Sequence, residues 1–301
     1  ISELIQPKSF QGSNKQASSG SARSIVDLIV PTLIYNEGLW CISKVSPLYN
    51  FEYRAVKLKQ YASQIRQAVV SSVTTKTSAN YKIQMAARPR LKYVDEEADG
   101  IEITVMVEGD LKNREVYKGV LLSWGLNRNF DDANLLNLPF FLDRGDKKIS
   151  AAVKTTLQNT FSCNIIPFYF PQYQLLTVGF SFLEHDTSNN NDKFVLSYTI
   201  PNSDVKDKID ITFDIGFVKA MWNRLSSEYS KKSELSHAIY EKLCEHVLAT
   251  SKMDISKLNL NAVLLPKAEV KNNGVFKAKT PEMVNSVLTV MYIHSNIQEN
   301  I

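Results

Sequence analysis

The segment from Leu138 to Phe170 constrains the fold of this 301-residue chain more than any other stretch. It predicts a buried strand over Leu138–Leu142, a polar turn over Asp143–Lys148, an amphipathic helix over Ile149–Phe161 and an apolar strand over Cys163–Phe170. In the helix, apolar residues recur at steps of three and four residues, which places them on one face. Because such a face must be buried, we expect helices packed against a sheet.

A second group of segments alternates apolar and polar residues, which is typical of strands with one wet face. Tyr81–Arg88 and Ile101–Val107 show this alternation, and Val116–Trp124 completes a predicted meander. Antiparallel strands fit this pattern better than the continuously apolar strands of a parallel sheet. Further strands are predicted over Leu39–Val45, Leu175–Leu183, Phe194–Thr199 and Ile209–Ile215.

The spacing of apolar residues predicts further helices, and the C-terminal region predicts a hairpin. The helices are expected over Arg54–Ser72, Phe217–Leu225, Glu234–Thr250 and from Pro281 onward. Ser233 is the expected N-cap of the third of these helices, and Thr280 caps the last. The hairpin would join Leu258–Leu265 to Val275–Lys279 through a turn at Asn272-Asn273-Gly274.

The order of these elements predicts two α+β lobes. Residues 1–24 are polar with little apolar spacing, and are expected to form a disordered tail. Helices follow strands twice, which favours an N-terminal lobe over residues 25–126 and a C-terminal, partner-binding lobe over residues 127–301. The polar run His185–Lys193 is expected to be a mobile surface loop between two strands.

Motifs for chemistry are absent from the sequence. The apolar runs are far shorter than the roughly 18–20 residues that cross a bilayer, so no membrane segment is expected. The histidines and cysteines lack metal-ligand spacing, and the signatures of hydrolases, dinucleotide binders and P-loop enzymes are missing. We therefore expect no catalytic residue, no metal, no cofactor and no small-molecule substrate. The alternative is an enzyme whose pocket gathers distant residues such as Asp143, Asp146 and His185.

Basic residues form the main functional constellation. Up to Val94 the chain has 13 Lys and Arg against 4 Asp and Glu, a net charge of +9, and the other 22 against 27 give −5. This asymmetry favours a polyanion such as DNA, although solubilising lysines would give the same composition. The predicted phosphate ligands are Lys267, Lys271, Lys277 and Lys279 near the C-terminus, then Lys82, Arg88, Arg90 and Lys92, and last Arg144, Lys147 and Lys148. Few aromatic residues are interleaved with them, so contacts to the backbone are expected rather than base stacking.

Four segments in one order resemble a known family. These are CISKVSPLYNFEYRAVKLKQYASQI (Cys41–Ile65), NLPFFLDRGDKKISAAVKTTLQNTFSCNI (Asn137–Ile165), IDITFDIGFVKAMWNRL (Ile209–Leu225) and the region Gly274–Leu288. They are similar, in this order, to four blocks of the centromere protein L family. These blocks are a strand, turn and helix, a helix followed by Thr-Phe-x-Cys, a strand followed by a helix with Trp, and a basic strand followed by a helix. The resemblance covers most of the chain after Gly38.

The resemblance implies a structural subunit of the inner kinetochore, in the nucleus at the centromere. Such a subunit would form a heterodimer with a centromere protein N-type partner, contact other inner-kinetochore subunits, and bind centromeric nucleosomal DNA through a basic groove. Lys277 matches the family's Gly-x-x-Lys setting. The implied fold is α+β, a curved and mainly antiparallel sheet with helices packed on one face. A protein-interaction scaffold without DNA contact is the alternative.

The partner interface is expected at a sheet edge. Half-apolar strands such as Phe194–Thr199 or Ile209–Ile215 would leave unpaired backbone groups in a lone sheet, and a partner's strand would cover them. We therefore predict Ile209, Ile211 and Phe213 as interface residues. The sequence does not fix which strand forms the edge.

Overall fold

A computed structural model describes residues 34, 38–73, 80–89, 91–93, 97–109, 113–125, 134–200 and 207–298. The predicted disordered tail, residues 1–24, lies outside these ranges. The strands are β1 (Trp40–Val45), β2 (Leu48–Tyr49), β3 (Tyr81–Arg88), β4 (Gly100–Val107), β5 (Arg114–Leu122), β6 (Leu135–Leu136), β7 (Phe140–Gly145), β8 (Ile165–Pro167), β9 (Lys193–Thr199), β10 (Lys208–Asp214), β11 (Asn259–Leu264), β12 (Ala268–Lys271) and β13 (Val275–Ala278). The helices are α1 (Ala55–Ser72), α2 (Lys147–Phe161), α3 (Gln172–Ser181), α4 (Ile215–Leu225), α5 (Lys232–Ser251) and α6 (Pro281–Gln298).

Eleven of the described strands form one antiparallel sheet. Its order is β10-β9-β11-β12-β13-β1-β7-β5-β4-β3, and β8 adds to β1. Strands β2 and β6 form a separate small ribbon. Within the described ranges the sheet does not close, so β10 and β3 are its edges. The predicted α+β class and the mainly antiparallel sheet are confirmed.

Neighbouring residues of the central strands enter two different hydrophobic cores. Phe141 of β7 packs in a core with α1 and α2, whereas Phe140 and Leu142 pack in a second core with α3, α4, α5 and α6. Since successive side chains of a strand point to opposite faces, the two cores lie on opposite faces of the sheet. We call them the α2 face and the α3 face. Helices thus cover one face in each half of the sheet. The predicted lobe boundary at residues 126 and 127 stays a prediction.

The opening segment folds nearly as expected up to the end of its helix. Asp146 caps α2, because its side chain accepts hydrogen bonds from the backbone N–H groups of Lys148 at 2.8 Å and Ile149 at 3.1 Å. The strand predicted over Cys163–Phe170 is much shorter in the structure, where only Ile165–Pro167 forms a strand, β8. Phe168 and Phe170 instead insert into the core of the α3 face.

The strand predicted over Leu175–Leu183 is wrong, because this segment forms α3 and a following 3₁₀ turn. Leu175, Leu176, Val178 and Phe180 are all buried, so apolar residues surround the helix. A short apolar run of this kind carries no period that distinguishes a buried helix from a buried strand.

Two details of the C-terminal region also differ from the prediction. The expected hairpin is a three-stranded meander, because β12 lies between β11 and β13. Ser233 lies inside the first turn of α5, and no side chain caps that helix at Lys231. The start of α6 is as predicted, since the Thr280 hydroxyl accepts a hydrogen bond from the Met283 N–H at 3.4 Å.

The run His185–Lys193 is anchored, in contrast to the expected mobile loop. Lys219 of α4 forms an ion pair with the buried Asp186 at 2.8 Å, and the N–H of Gly216 donates to the carbonyl of Asn190 at 2.9 Å. The loop is therefore fixed against the start of α4.

Candidate functional site

The structure divides the predicted cations between the two faces of the sheet. Lys271 and Lys277 alternate with residues buried in the core of the α3 face, so they lie on the α2 face. Lys82, Arg88 and Arg144 alternate with residues of the α2-face core or its partly buried fringe, so they lie on the α3 face. The predicted set is therefore not gathered in one groove.

Three cations of the α3 face, Arg88, Lys118 and Arg144, are joined to carboxylates in a ladder across four strands, whereas Lys82 forms no ion pair with a described residue. Arg88 pairs with Glu102, and Lys118 Nζ lies 3.4 Å from Glu102 Oε1 and 3.1 Å from Glu115 Oε2. Arg144 Nη2 lies 2.7 Å from Glu115 Oε1. The Arg144 guanidinium also lies 5.4 Å from the centre of the Trp40 ring. The charges of Arg88 and Arg144 are thus already offset within the chain.

On the α2 face, lysines surround Cys41, which is exposed near the middle of the sheet. Cys41 lies opposite Asp143 on β7 and opposite Val275 on β13, two residues before Lys277. Lys154 of α2 pairs with Asp143 at 2.9 Å, and Lys271 pairs with Glu269 at 2.6 Å. We call the surface formed by Cys41, Lys147, Lys154, Lys271 and Lys277 the Cys41 surface.

Two lysines of the Cys41 surface, Lys147 and Lys277, form no ion pair with any described residue. Glu269, the cross-strand neighbour of Lys277, pairs with Lys271 instead. Sequence reasoning missed Cys41 and Lys154 as neighbours of this site. Alternation in β1 shows that Cys41 points to the other face of the strand from Trp40 and Ile42. The contact between Lys154 and Asp143 depends on how α2 packs, which the sequence pattern does not show.

The electrostatics of Cys41 argue against nucleophilic chemistry. Burial of part of the thiol and the charge of Asp143 raise the pKa of Cys41, and Lys154, Lys147 and Lys271 offset this only in part. The thiol is therefore protonated at neutral pH, where the thiolate would be the nucleophile. Burial, followed by Asp143, likewise raises the pKa of Tyr117 well above its ordinary value. The surface offers positive charge without an activated nucleophile.

The remaining predicted cations lie in other settings. Lys267 donates a hydrogen bond to the Thr187 hydroxyl, and its carbonyl accepts from the Lys279 N–H at 3.1 Å. Lys92 pairs with Asp99 at 2.9 Å. Lys82, Lys148 and Lys279 are exposed. Arg90 lies outside the residues that the structure describes.

The predicted partner residues lie on β10, which the structure places at one edge of the sheet. Phe213 is buried, and Ile209 and Ile211 are partly buried toward the α3 face. Phe213 and Ile211 thus belong to the chain's own core or pack against it. Exposed side chains of Lys208, Asp210, Thr212 and Asp214 line the other face of this strand. Since β9 is its only strand partner in the described ranges, the outer backbone groups of β10 are open to a partner.

The residues of the enzyme alternative each have a local structural partner. Asp143 pairs with Lys154, Asp146 caps α2, and His185 contacts Glu184 at 3.7 Å. In the part of the chain that the structure covers, no group of His, Cys, Asp and Glu could hold a metal ion. Of the described helices, none has the length and apolar character to span a membrane.

The described residues define a class of open-sheet α+β protein, in which surface lysines form no ion pair and an edge strand has one strand partner within the described ranges. Comparison with known proteins identifies the family. The family model of centromere protein L matches residues 34–297. The chain is also similar to centromere protein L of Xenopus tropicalis, with 23% identity over 272 residues, covering 83% of this chain and 75% of the relative.

The chain belongs to the centromere protein L family. This confirms the resemblance seen in the sequence and indicates a subunit of the centromere and its kinetochore in the nucleus. The family is one of structural kinetochore proteins and is not a known enzyme family.

Proposed function

We propose that this kinetochore subunit pairs with a centromere protein N-type subunit through the edge strand β10 and contacts centromeric DNA through its unpaired lysines. Contacts with other inner-kinetochore subunits are part of the same proposal. The observation that carries the pairing is the edge of β10, which pairs with no second strand among the described residues, in an otherwise fully paired C-terminal half of the sheet. An open edge is a template for another chain, and a partner's strand would satisfy its N–H and C=O groups.

The DNA contact is supported by exposed or partly exposed lysines on and beside the α2 face. Lys147 and Lys277 on the α2 face and Lys148 and Lys279 beside them form no ion pair with a described residue. Ammonium groups bind phosphates as point charges and release counterions from DNA. Arg88, Arg144 and Lys92, which already have carboxylate partners, are weaker candidates.

Sedimentation tests the pairing. The full chain mixed with an N-type subunit is expected to sediment as a one-to-one complex. A chain that remains a monomer in the mixture, or that forms only a homodimer, would contradict the proposed heterodimer.

Duplex DNA binding at several salt concentrations tests the DNA contact, for the chain alone and for the complex. Affinity is expected to fall steeply with salt, because each neutralised phosphate contributes about −0.9 to the slope of log affinity against log salt. Charge reversal of Lys267, Lys277 and Lys279 is expected to weaken binding. Affinity that responds neither to salt nor to these substitutions would refute the contact.

A further inference from the structure

We infer that the strand β3, at the end of the sheet opposite β10, is a second docking edge. Its occupant is an extended segment of another protein in which acidic residues alternate with apolar ones. Strand β3 pairs with β4 along its whole length and has no second strand partner in the described ranges. The inference does not depend on the heterodimer proposed at β10, because it concerns the other end of the sheet.

The backbone of β3 presents its outward groups in a fixed pattern. The N–H of Glu108 donates to the carbonyl of Asn80 at 3.0 Å, and these two residues continue the register of β3 and β4. Hydrogen-bonded pairs alternate with non-bonded pairs in an antiparallel ladder, so every second residue from Asn80 onward bonds to β4. The residues between them direct their N–H and C=O groups outward: Tyr81, Ile83, Met85 and Ala87. An extended segment that adds one strand would satisfy these groups.

Helix α1 lies over β3 and presents an exposed row of residues beside this edge. Its neighbour α2 lies on the side of Gln64, whose side-chain oxygen accepts a hydrogen bond from the Thr160 hydroxyl at 3.4 Å. Steps of three and four residues place the exposed row on the side away from α2, and we call it the α1 stripe: Val56, Lys59, Ser63, Arg66 and Val70. The Arg66 guanidinium donates to the side-chain oxygen of Asn80 at 2.9 Å, so the stripe lies along the open side of β3.

The α1 stripe offers apolar surface to such a segment. Val56 and Val70 are 78% and 53% exposed, and Ile83 is only partly buried on the α2 face of β3. A strand added to β3 would place every second side chain on the α2 face, beside Ile83 and below the stripe. Apolar side chains at these positions would remove part of the exposed valine surface from water.

Charges beside the edge favour acidic residues at the other positions of the segment. Lys82 is exposed on the α3 face of β3, and Lys59 is exposed in the α1 stripe. Neither lysine forms an ion pair with a described residue. A side chain directly opposite Lys82 in an added strand would lie about 5 Å away, where an opposite charge stabilises the pairing. The segment is therefore expected to carry Asp or Glu at the positions that face Lys82.

The carboxylates already next to β3 have other partners. Glu102 of β4 pairs with Arg88, at the far end of β3 from Lys82. Glu108, one pair beyond the ladder, lies diagonally across from Lys82 and accepts a hydrogen bond from the side chain of Asn80 instead. Since Arg88 already has a carboxylate, the acidic residues of the segment are expected to matter most near Lys82.

A second copy of this chain fits the same edge less well than an acidic segment does. Two-fold antiparallel pairing centred on Met85 would set each Lys82 opposite an Arg88, and like charges directly opposite destabilise a strand pair. Lysine on an edge strand also prevents unspecific pairing with other sheets. The edge is thus selective for a segment of opposite charge.

Amide exchange in the full chain tests the location. The probe is a peptide with the length of β3, eight residues, that alternates Glu and Val. At saturation it is expected to slow hydrogen exchange severalfold, as followed by NMR, at the outward amides of Tyr81, Ile83, Met85 and Ala87. The amides between them already bond to β4, so their exchange should change little, and the amides of β10 should keep their rates.

Charge reversal at the edge tests the chemistry. Lys82→Glu is expected to weaken binding of the labelled peptide severalfold in fluorescence anisotropy, and added salt should weaken binding to the wild type. A peptide that alternates Lys and Val should prefer the Lys82→Glu variant. Lys208→Glu, exposed on the other edge strand, is the matched control and should bind like the wild type. Circular dichroism and the melting temperature show whether each variant is folded, and Lys82→Gln is a milder replacement.

Several results would overturn the inference and leave the heterodimer proposed at β10 standing. Unchanged exchange at the outward amides of β3 would show that no strand is added there. Equal binding of polyglutamate would show attraction by charge alone. Displacement of the peptide by the N-type subunit would place both on one edge. Conversely, failure of the chain to pair with the N-type subunit would refute the heterodimer and leave peptide binding at β3 unchanged.

Discussion

At the scale of single residues, buried carboxylates connect segments that are distant in the sequence. Glu97 accepts hydrogen bonds from the N–H of Tyr93 at 2.9 Å and from the Ser123 hydroxyl at 2.8 Å, and also from the N–H of Gly125. Asp186 fixes the loop before β9 to α4 through Lys219 and also accepts a hydrogen bond from the Ser188 N–H within the loop. A buried carboxylate is costly unless it is paired, so these contacts specify where the segments lie.

Substitution of Asp186 by Asn is expected to lower the free energy of unfolding by about 3 kcal/mol at pH 7, because Lys219 would lose its buried partner. Burial alone would raise the pKa of Asp186, but hydrogen bonds from Lys219 and Ser188 lower it below the ordinary value. Its stabilising effect is therefore complete above the unfolded pKa of about 3.9 and is lost as pH falls through the lower, folded pKa.

Urea denaturation of the wild type and the Asp186→Asn variant at pH 7 and near pH 3 would measure this effect. The difference between the two proteins should shrink at acid pH. A difference that stays constant with pH would show that the carboxylate charge is not what stabilises the loop.

At the scale of elements, α3 shows how close packing overrides a sequence pattern. The helix lies against β11, and a Cβ added to Gly179 would lie 2.6 Å from Cβ of Val263. Such a distance forces a shift, and Val263 is a stiff β-branched residue in a strand. Glycine is therefore needed here for the approach of helix and strand, although it is a poor helix former.

Substitution of Gly179 by Ala is expected to destabilise the protein by about 1–3 kcal/mol, the usual effect of overpacking. Helix propensity alone predicts the opposite, a gain of about 1 kcal/mol. Ser63→Ala, on the exposed side of α1, is a matched control that should be neutral or slightly stabilising. Thermal denaturation of both variants would decide, and a raised melting temperature for Gly179→Ala would contradict the packing described above.

The elements also show what the sequence could and could not predict. Alternation predicted β3 with its correct bounds, and spacing predicted α1 and α2 to within two residues. The hydrophobic pattern did not predict α3, because a helix that is buried on all sides has no apolar period. It also did not predict β12, which is only four residues long. The candidate cations were predicted to form one groove. Alternation shows which residues of a strand share a face, but it does not show on which face of the sheet the helices pack.

At the scale of the whole molecule, one sheet joins two halves, and helices cover a different face in each half. Helices α1 and α2 cover one face at the β3 end, and α3 to α6 cover the other face toward β10. Among the described residues, the Cys41 surface lies on the α2 face near the middle of the sheet, and the ladder lies on the α3 face toward β3. The two halves of the sheet therefore leave opposite faces free of described helices.

Proline substitution along β10 tests the central claim, that this edge accepts the N-type partner. Successive N–H groups of a strand point to opposite sides, so of Asp210, Ile211 and Thr212 some donate to β9 and the others face outward. Proline at an outward position removes a donor to the partner and spares the pairing with β9. We predict that at least one folded proline variant, with a melting temperature near that of the wild type, loses the N-type subunit in sedimentation. Retention of the partner by every folded variant would contradict the claim.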